Sequence, residues 1–191
     1  MSRGTLPHVP YMVHLLRADR DLRSELGIPK DATVFARHGG AETFDIPFVQ
    51  AAVIRCARHS PDTYFLFMNT NRFCENLPNV LFLPPTTDPM QKARFIATSD
   101  AMLHARQRGE TFGLAIGEFS IMNKPVLTWD GSPERCHLEI LGEKAIRYSD
   151  AAGLSRLLRE FRPDKSVDYD VYSREYSPEI VMAKFGEVFL Q

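Results

Sequence analysis

The sequence of 191 residues contains few cysteines, a single tryptophan and almost no net charge. Cys56, Cys74 and Cys136 are odd in number and lack the spacing of a metal site, which indicates free thiols in a reducing compartment rather than a disulfide framework. The 23 basic and 24 acidic residues leave a formal charge of -1. This balance provides no basic surface for nucleic acid or for an anionic membrane, so we expect neither as a partner.

Long apolar runs and several enzyme motifs are also missing. No run approaches eighteen consecutive apolar residues, so the sequence predicts no transmembrane segment. It has no Gly-x-Ser-x-Gly elbow, no Walker loop and no His/Cys cluster at metal-ligand spacing. Cys136 and His137 are adjacent, and adjacent residues of a helix do not face each other, so we expect no Cys/His nucleophile. Residues 1–10 carry no apolar stretch typical of a signal peptide, and we expect a cytoplasmic protein.

Apolar residues make up 44% of the sequence and include thirteen phenylalanines, which is enough for a sizeable core. We expect a single domain over residues 1–191, because the length suits one domain. Within it, residues 1–18 form a linker-like lead-in, and residues 177–190 include a terminal helix.

Short β-rich runs alternate with segments of helical periodicity through most of the chain. The predicted strands cover residues 33–37, 64–68, 79–83, 101–104, 125–129 and 144–148. The predicted helices cover residues 19–26, 46–58, 88–97, 113–122, 150–161 and 177–189, and a further helix begins at 132–134. This alternation is typical of βαβ units, and it predicts a three-layer α/β fold with a parallel sheet of about six strands and helices on both faces.

The loop after the fourth predicted strand is the one richest in informative residues, and ligands of such sheets bind at the carboxyl ends of the strands. It carries Arg106, Arg108 and Glu110 before Gly113 opens a helix. Free N–H groups and the positive dipole end at a helix start bind anions, and glycine leaves room for a ligand to approach. Glu118 follows about 7.5 Å further along the helix axis.

The two carboxylates, Glu110 and Glu118, therefore flank the predicted anion site. A carboxylate can accept two O–H donors at once, which suits vicinal hydroxyls. We expect a ligand with a diphosphate at its centre, a sugar on one side and a ribose on the other.

The same residues carry a resemblance to a known family. Glu110-x7-Glu118, with Phe112-Gly113-Leu114 inside it and the Asn-Lys-Pro-Val segment at 123–126 after it, resembles the nucleotide-sugar motif of glycosyltransferase family 4. The Leu-Gly-Ile-Pro segment at 26–29 and the order of the strands also agree. The resemblance covers about residues 9–161, but only the carboxyl-terminal, donor-binding half of this two-domain architecture. It implies a Rossmann-like domain of the GT-B fold and a retaining glycosyl transfer from a nucleotide diphosphate sugar.

The resemblance also implies roles for individual residues. Glu110 would contact the hydroxyls of the donor sugar, and Glu118 those of the ribose. Arg37 would neutralise the diphosphate and, with Glu110, serve the catalytic step. The backbone of Phe112, Gly113 and Leu114 would hold the distal phosphate.

The remaining expectations concern the walls of the site. The base would rest near residues 83–87, which include Pro84, and Gly39 and Gly40 would form a turn beside the ligand. The lysine that usually follows the family's arginine is absent from residues 38–45, so either Arg106 or Arg108 replaces it, or the phosphates are bound more weakly. No metal or other cofactor is expected, because fixed positive charge replaces a cation. The donor would be linked to UDP or GDP.

Partners and alternatives follow from the half that the resemblance does not cover. The acceptor would be a sugar or glycan, bound with the help of an acceptor-domain partner chain or of a homodimer. One alternative is a non-catalytic nucleotide- or sugar-binding module, and another is a phosphate-binding α/β enzyme such as a nucleotide-sugar epimerase. For His38 and His104, which stand at strand ends, we favour structural roles.

Overall fold

Six parallel strands form the central sheet of the computed structural model, which describes residues 8–190. The strands are β1 (Thr33–His38), β2 (Thr63–Met68), β3 (Val80–Leu83), β4 (Ala101–His104), β6 (Val126–Trp129) and β8 (Ala145–Tyr148). Their spatial order is β3-β2-β1-β4-β6-β8, and each neighbouring pair runs parallel. The order reverses between β1 and β4, as in Rossmann-like sheets, where ligands bind. The prediction of a parallel sheet of six strands is confirmed.

Helices pack on both faces of this sheet. They are α1 (Pro47–His59), α2 (Pro89–Thr98), α3 (Leu114–Ile121), α4 (Cys136–Leu141), α5 (Ala151–Glu160), α6 (Ser173–Tyr176) and α7 (Pro178–Phe189). Successive strand residues point to opposite faces, so Phe35 joins α1 and α5 in one buried cluster whereas Val34 joins α2 and α3 in another. The two clusters are the two interfaces of a three-layer domain, which confirms the predicted fold class.

Two predicted helix starts are wrong. Residues 19–26 form turns instead of a helix, because the segment closes after one turn, in which Leu26 N–H donates to Leu22 O, and ends at Gly27 with a φ of +66°. The helix expected from residue 132 begins only at Cys136. A short strand, β7 (Glu134–Arg135), precedes it and pairs in parallel with β5 (Gly109–Glu110).

The lead-in contains no helix or strand over residues 8–18, and residues 1–7 lie outside the described part of the chain. Its Val13 is buried, and Val13 N–H donates to Tyr176 O at 2.8 Å. The lead-in therefore packs against the segment that precedes the terminal helix. Across residues 8–190, no helix has both the length and the apolar character needed to span a bilayer.

Candidate functional site

A cleft of about 380 Å³ opens at the carboxyl ends of β1 and β4, where the strand order reverses. Three segments contribute most of its walls: the end of β1 with the loop that follows it, the end of β4, and the loop that leads into α3. The lining residues are Tyr11, Arg37, His38, Gly39, Gly40, Thr43, Met102, His104, Arg106, Glu110, Thr111, Phe112, Gly113, Leu114 and Ala115.

The start of α3 is shaped by Gly113. This residue has a φ of +84°, a left-handed conformation that favours glycine, and a Cβ there would lie 3.2 Å from Ile116 Cδ1 and 3.4 Å from His137 Cβ. No side chain caps the first N–H groups of this eight-residue helix. Backbone donors and the positive end of the helix dipole therefore lie at the cleft wall, an arrangement suited to an anion.

Glu110 is held as an anion at the same wall. Arg106 Nη1 donates to Glu110 Oε2 at 2.8 Å, and His104 Nε2 lies 3.4 Å from Glu110 Oε1. Burial alone would raise the pKa of Glu110, but the hydrogen bonds and the electrostatic attraction of His104 and Arg106 outweigh it and hold this pKa below its ordinary value. Each carboxylate oxygen keeps a lone pair for a further donor such as a ligand hydroxyl.

Arg37 ends β1 with only 3% of its surface exposed. Its Nη2 donates to Gly40 O at 3.0 Å and to Thr43 Oγ1, and its Nη1 donates to Thr70 Oγ1. Burial lowers the pKa of Arg37 to about 10, against the attraction of Glu110. The guanidinium therefore stays charged at neutral pH and fixes the loop after β1, while its Nε–H and the second N–H of Nη1 are not used in these bonds.

Glu118 lies one turn into α3 and is not among the residues that line the cleft. His38 Nε2 lies 2.9 Å from Glu118 Oε2, and Lys92 Nζ lies 2.6 Å from Glu118 Oε1. Burial would raise the pKa of Glu118, but His38 and Lys92 lower it by a larger amount. His38 itself stacks on the ring of Phe119 and does line the cleft.

The structure brings together most of the residues proposed from the sequence, but not all of them. Those that line the cleft are Arg37, Gly39, Gly40, Arg106, Glu110, Phe112, Gly113 and Leu114. Arg108 is exposed and lies 3.9 Å from Glu134 outside the cleft. Pro84 is exposed and also lies outside the cleft lining. Of the two arginines considered as a replacement for the absent lysine, only Arg106 reaches the cleft.

Several residues of the site could be placed only by the structure. Thr43 and Thr70 hold the Arg37 guanidinium. His38 and His104 contact the two glutamates, and their positions at the ends of β1 and β4 are the sequence signal that marked them. Lys92 has no such signal in the sequence, because α2 and α3 become neighbours only when the sheet has folded.

The irregular segment before α6 supports the loop that leads into α3. Tyr172 is fully buried, and its hydroxyl donates to Phe112 O at 2.7 Å. A Cβ on Gly117 would lie 2.8 Å from the Tyr172 ring and from Val13, so α3, the lead-in and this segment meet at that glycine. Over residues 8–190, no group of three or more His, Cys, Asp and Glu side chains is arranged to hold a metal ion.

No family model matches the sequence, and no curated protein matches it. Solved structures do share its fold. Anabaena HepE in complex with UDP and glucose superposes with a TM-score of 0.69 at 16% identity over 89% of this chain and 51% of HepE. S. aureus TarM gives a TM-score of 0.63 at 13% identity over 100% and 41%. The pneumococcal O-GlcNAc transferase GtfA, in complex with UDP and GlcNAc, gives 0.61 at 14% identity over 91% and 37%.

These neighbours are GT-B glycosyltransferases, and the chain spans about half of their length or less. The chain therefore has the fold of one half of a GT-B glycosyltransferase, in agreement with a carboxyl-terminal half.

Proposed function

We propose that the cleft binds a nucleotide diphosphate sugar and that the chain is the donor-binding part of a retaining glycosyltransferase. The observation that carries this proposal is the meeting of three features in one cleft: the uncapped start of α3 at Gly113, the cations Arg37 and Arg106, and the ionised carboxylate of Glu110. The complexes of HepE with UDP and with UDP-glucose support it, because those proteins share the fold.

The diphosphate would lie against the backbone of Phe112, Gly113 and Leu114. The N–H groups there, the Arg37 guanidinium and Arg106 provide fixed positive charge where negative charge develops on the leaving group, the main requirement for breaking the bond to the anomeric carbon. We expect this fixed positive charge to take the place of a metal cation. Gly39 supports the arrangement, because a Cβ there would lie 2.8 Å from Arg37 Nη2 and would displace the guanidinium.

Glu110 would accept hydrogen bonds from the hydroxyls of the donor sugar. Glu118 would accept hydrogen bonds from the ribose, using the lone pairs that Lys92 and His38 leave free. The base would then approach residues 83–87, where Pro84 is exposed, and a UDP- or GDP-linked donor remains our expectation. Arg108 takes no part in this arrangement because its side chain is exposed and directed to Glu134.

The acceptor side is proposed on the exposed apolar rim of the cleft. Tyr11 and Leu114 line the cleft and are 67% and 50% exposed. Exposed apolar side chains beside a polar site are typical of surfaces that another molecule covers. We expect a sugar or glycan acceptor here, bound with the help of an acceptor domain on a partner chain or of a second copy, in the cytoplasm.

A second candidate function is that of a non-catalytic nucleotide- or sugar-binding module. The observation that favours it is that the two residues proposed for the catalytic step, Arg37 and Glu110, are both bonded to other groups of the chain. Release of free sugar from a nucleotide sugar by the purified chain, or transfer to an added acceptor, would exclude this candidate. Tight binding with neither reaction would support it.

Arg106 and Arg108 provide a matched pair of variants for the main proposal. We would measure binding of UDP, GDP and their glucose and N-acetylglucosamine derivatives by isothermal titration calorimetry. Because a charge-assisted hydrogen bond is worth about 1.5–3 kcal/mol, Arg106→Ala is expected to weaken the binding of these nucleotides at least tenfold. Arg108→Ala is expected to change it by less than about twofold, as for an exposed charge.

Two results would contradict the proposal. One is the absence of binding to any nucleotide or nucleotide sugar by the unmodified chain. The other is an equal loss of affinity in both arginine variants, because the cleft would then not distinguish the arginine that lines it from the one that does not.

A further inference from the structure

A line of three buried polar side chains runs from Glu110 into the interior. His104 is 5% exposed, and Thr128 on β6 and His137 on α4 are fully buried. His104 Nε2 lies 3.4 Å from Glu110 Oε1, His104 Nδ1 lies 2.9 Å from Thr128 Oγ1, and Thr128 Oγ1 lies 3.2 Å from His137 Nε2. Buried polar groups persist when they are hydrogen-bonded, so this line requires a consistent set of protons.

The proton positions are restricted by Glu110 and Thr128. An ionised carboxylate only accepts, so a hydrogen bond between His104 and Glu110 requires a proton on His104 Nε2. The Thr128 hydroxyl carries one proton and lies between two ring nitrogens, so it donates to one of them and accepts from the other. A neutral His104 with its proton on Nε2 accepts through Nδ1. Thr128 therefore donates to His104 and accepts from the Nε2–H of His137.

The hydrogen bonding of His137, at the inner end of the line, agrees with the direction of donation derived above. His137 Nδ1 is buried without a hydrogen-bond partner. In the direction above this nitrogen is a bare acceptor, whereas the reversed direction would place an N–H there, and buried N–H groups without a partner are rarer than buried acceptors without one. Burial lowers the pKa of His137 to about 4, with a further contribution from His104 and against a contact with the Glu110 backbone that raises it, so its ring is neutral at pH 7.

We propose that Thr128 and His137 are positioning residues that hold the ring of His104 with its Nε2–H pointing at Glu110, and that this line orients the Glu110 carboxylate for the hydroxyls of the donor sugar. The role of Glu110 toward the sugar rests on the proposed function, whereas the tautomer of His104 does not. Arg106 contacts the other oxygen, Glu110 Oε2, at 2.8 Å, so the carboxylate is fixed at both oxygens before any ligand arrives.

The remaining neighbours of His104 do not supply a competing partner. Tyr148 donates its hydroxyl to the backbone oxygen of His104 at 2.7 Å, and not to the ring. Burial raises the pKa of Tyr148 far above its ordinary value, so this hydroxyl keeps its proton. The centroids of the His104 and His137 rings are 5.0 Å apart, and both rings contact the Thr128 hydroxyl. If the Thr128 hydroxyl is lost, none of these contacts holds the Nδ1 side of the His104 ring.

The first experiment reads the tautomer without any ligand. Nitrogen-15 NMR at pH 8.5, with the two ring nitrogens of His104 assigned, is expected to show a proton on Nε2 and none on Nδ1 in the unmodified chain. Thr128→Val, which keeps the shape but removes the hydroxyl, is expected to shift the Nδ1 resonance, because that nitrogen loses its donor, and Thr128→Ser is expected to restore it. Detection of a proton on Nδ1 in the unmodified chain would overturn the proposal, whether or not the valine variant folds.

The second experiment separates orientation of Glu110 from nucleotide binding. In calorimetric titrations, Thr128→Val is expected to bind UDP as the unmodified chain does and to lose about three- to tenfold of its affinity for UDP-glucose, the range for one weakened hydrogen bond. Thr128→Ser should recover that loss. An unchanged ratio of the two affinities in the valine variant would overturn the positioning role. Failure of the unmodified chain to bind either compound would instead contradict the proposed function. The NMR experiment would still decide the tautomer of His104, because it needs no ligand.

Discussion

Lys92 Nζ lies 2.6 Å from Glu118 Oε1 although the two residues belong to different helices, α2 and α3. His38 at the end of β1 contacts the other oxygen at 2.9 Å. The two oxygens of the Glu118 carboxylate therefore contact side chains of α2 and β1, two elements that are not adjacent to α3 in the sequence. This contact joins the helices on one face of the sheet directly beside the cleft, so the proposed ribose contact and the packing of that face depend on one side chain.

The role proposed for Glu118 can be tested with a ligand that lacks one hydroxyl. Glu118→Gln replaces a charged acceptor by a neutral amide, so we expect the affinity for UDP to fall about tenfold, as for the loss of a charge-assisted hydrogen bond. The affinity for 2′-deoxyuridine diphosphate should change much less, because that ligand offers one donor fewer. Isothermal titration calorimetry measures both.

Glu187→Gln on the exposed side of α7 provides the control for removing a negative charge elsewhere. An equal fall in affinity for both nucleotides in Glu118→Gln would indicate that Glu118 acts through packing with Lys92 and His38, and not through the ribose.

The two glutamates also predict how stability depends on pH. The pKa values of Glu110 and Glu118 are held below the ordinary value of 4.5 in the folded chain. A lowered folded-state pKa contributes stability that is fully present above the unfolded-state value and is lost as the pH falls toward the folded-state value. The free energy of unfolding should therefore decrease between pH 6 and pH 3.

The double variant Glu110→Gln, Glu118→Gln should show a smaller decrease over this range, because neither side chain titrates. Urea denaturation at pH 6, 4.5 and 3 measures the free energy of unfolding directly. The same decrease in both proteins would show that other carboxylates, such as Asp19, whose pKa is lowered to about 2 by its bond with Arg94, account for the acid sensitivity.

Continuous apolar runs such as residues 64–68 are buried in the sheet, and for that reason the six strands of the central sheet could be predicted from the sequence. The start of α3 was also predictable, since Gly113 follows a polar loop and precedes a periodic apolar segment. The turns at residues 19–26 were not, because the bond from Leu22 N–H to Thr98 Oγ1 and the ion pair of Arg23 with Asp100 hold this segment against a distant part of the chain. Tertiary contacts of this kind leave no local pattern.

The site shows the same division. Arg106 and Arg108 are equivalent in the sequence, and only the pairing of β5 with β7, which places Glu134 N–H on Arg108 O at 2.9 Å, separates one from the other. The contact between Lys92 and Glu118 joins residues 26 positions apart, and Thr128 meets His104 across 24 positions. Such contacts depend on the sheet order, so sequence spacing alone does not reveal them.

Gly113 offers a test of the backbone at the start of α3. Gly113→Ala places a Cβ on a residue with a φ of +84°, which costs about 1–2 kcal/mol. For a chain of this size the melting temperature should fall by about 2–8 °C. Gly186→Ala is the matched control, because a Cβ there meets nothing within 4 Å inside α7 and should stabilise the chain by about 0.5–1 kcal/mol. Differential scanning calorimetry distinguishes them, and equal shifts of the two variants would contradict the role given to the left-handed backbone.

Arg37 provides the last prediction, because its guanidinium links the loop after β1 to Thr70 in the loop after β2. One nitrogen bonds Gly40 O and Thr43 Oγ1, and another bonds Thr70 Oγ1. Lysine keeps the charge but cannot present this planar fork of donors. Arg37→Lys is therefore expected to lose about 1.5–3 kcal/mol of stability, the value of hydrogen bonds to a charged group, even though the formal charge of the cleft is unchanged.

The measurement pairs urea denaturation with hydrogen exchange of the loop after β1. In Arg37→Lys, the amides that Arg37 orders, including the Thr43 N–H that donates to Gly40 O, should exchange faster. Arg108→Lys, in which the arginine is exposed, should leave both quantities unchanged. Loss of nucleotide affinity in Arg37→Lys without faster exchange would mean that the guanidinium acts on the phosphates alone. Faster exchange with affinity retained would mean that its main role is to hold the loop, and the positive charge of the cleft would then depend on Arg106 and the start of α3.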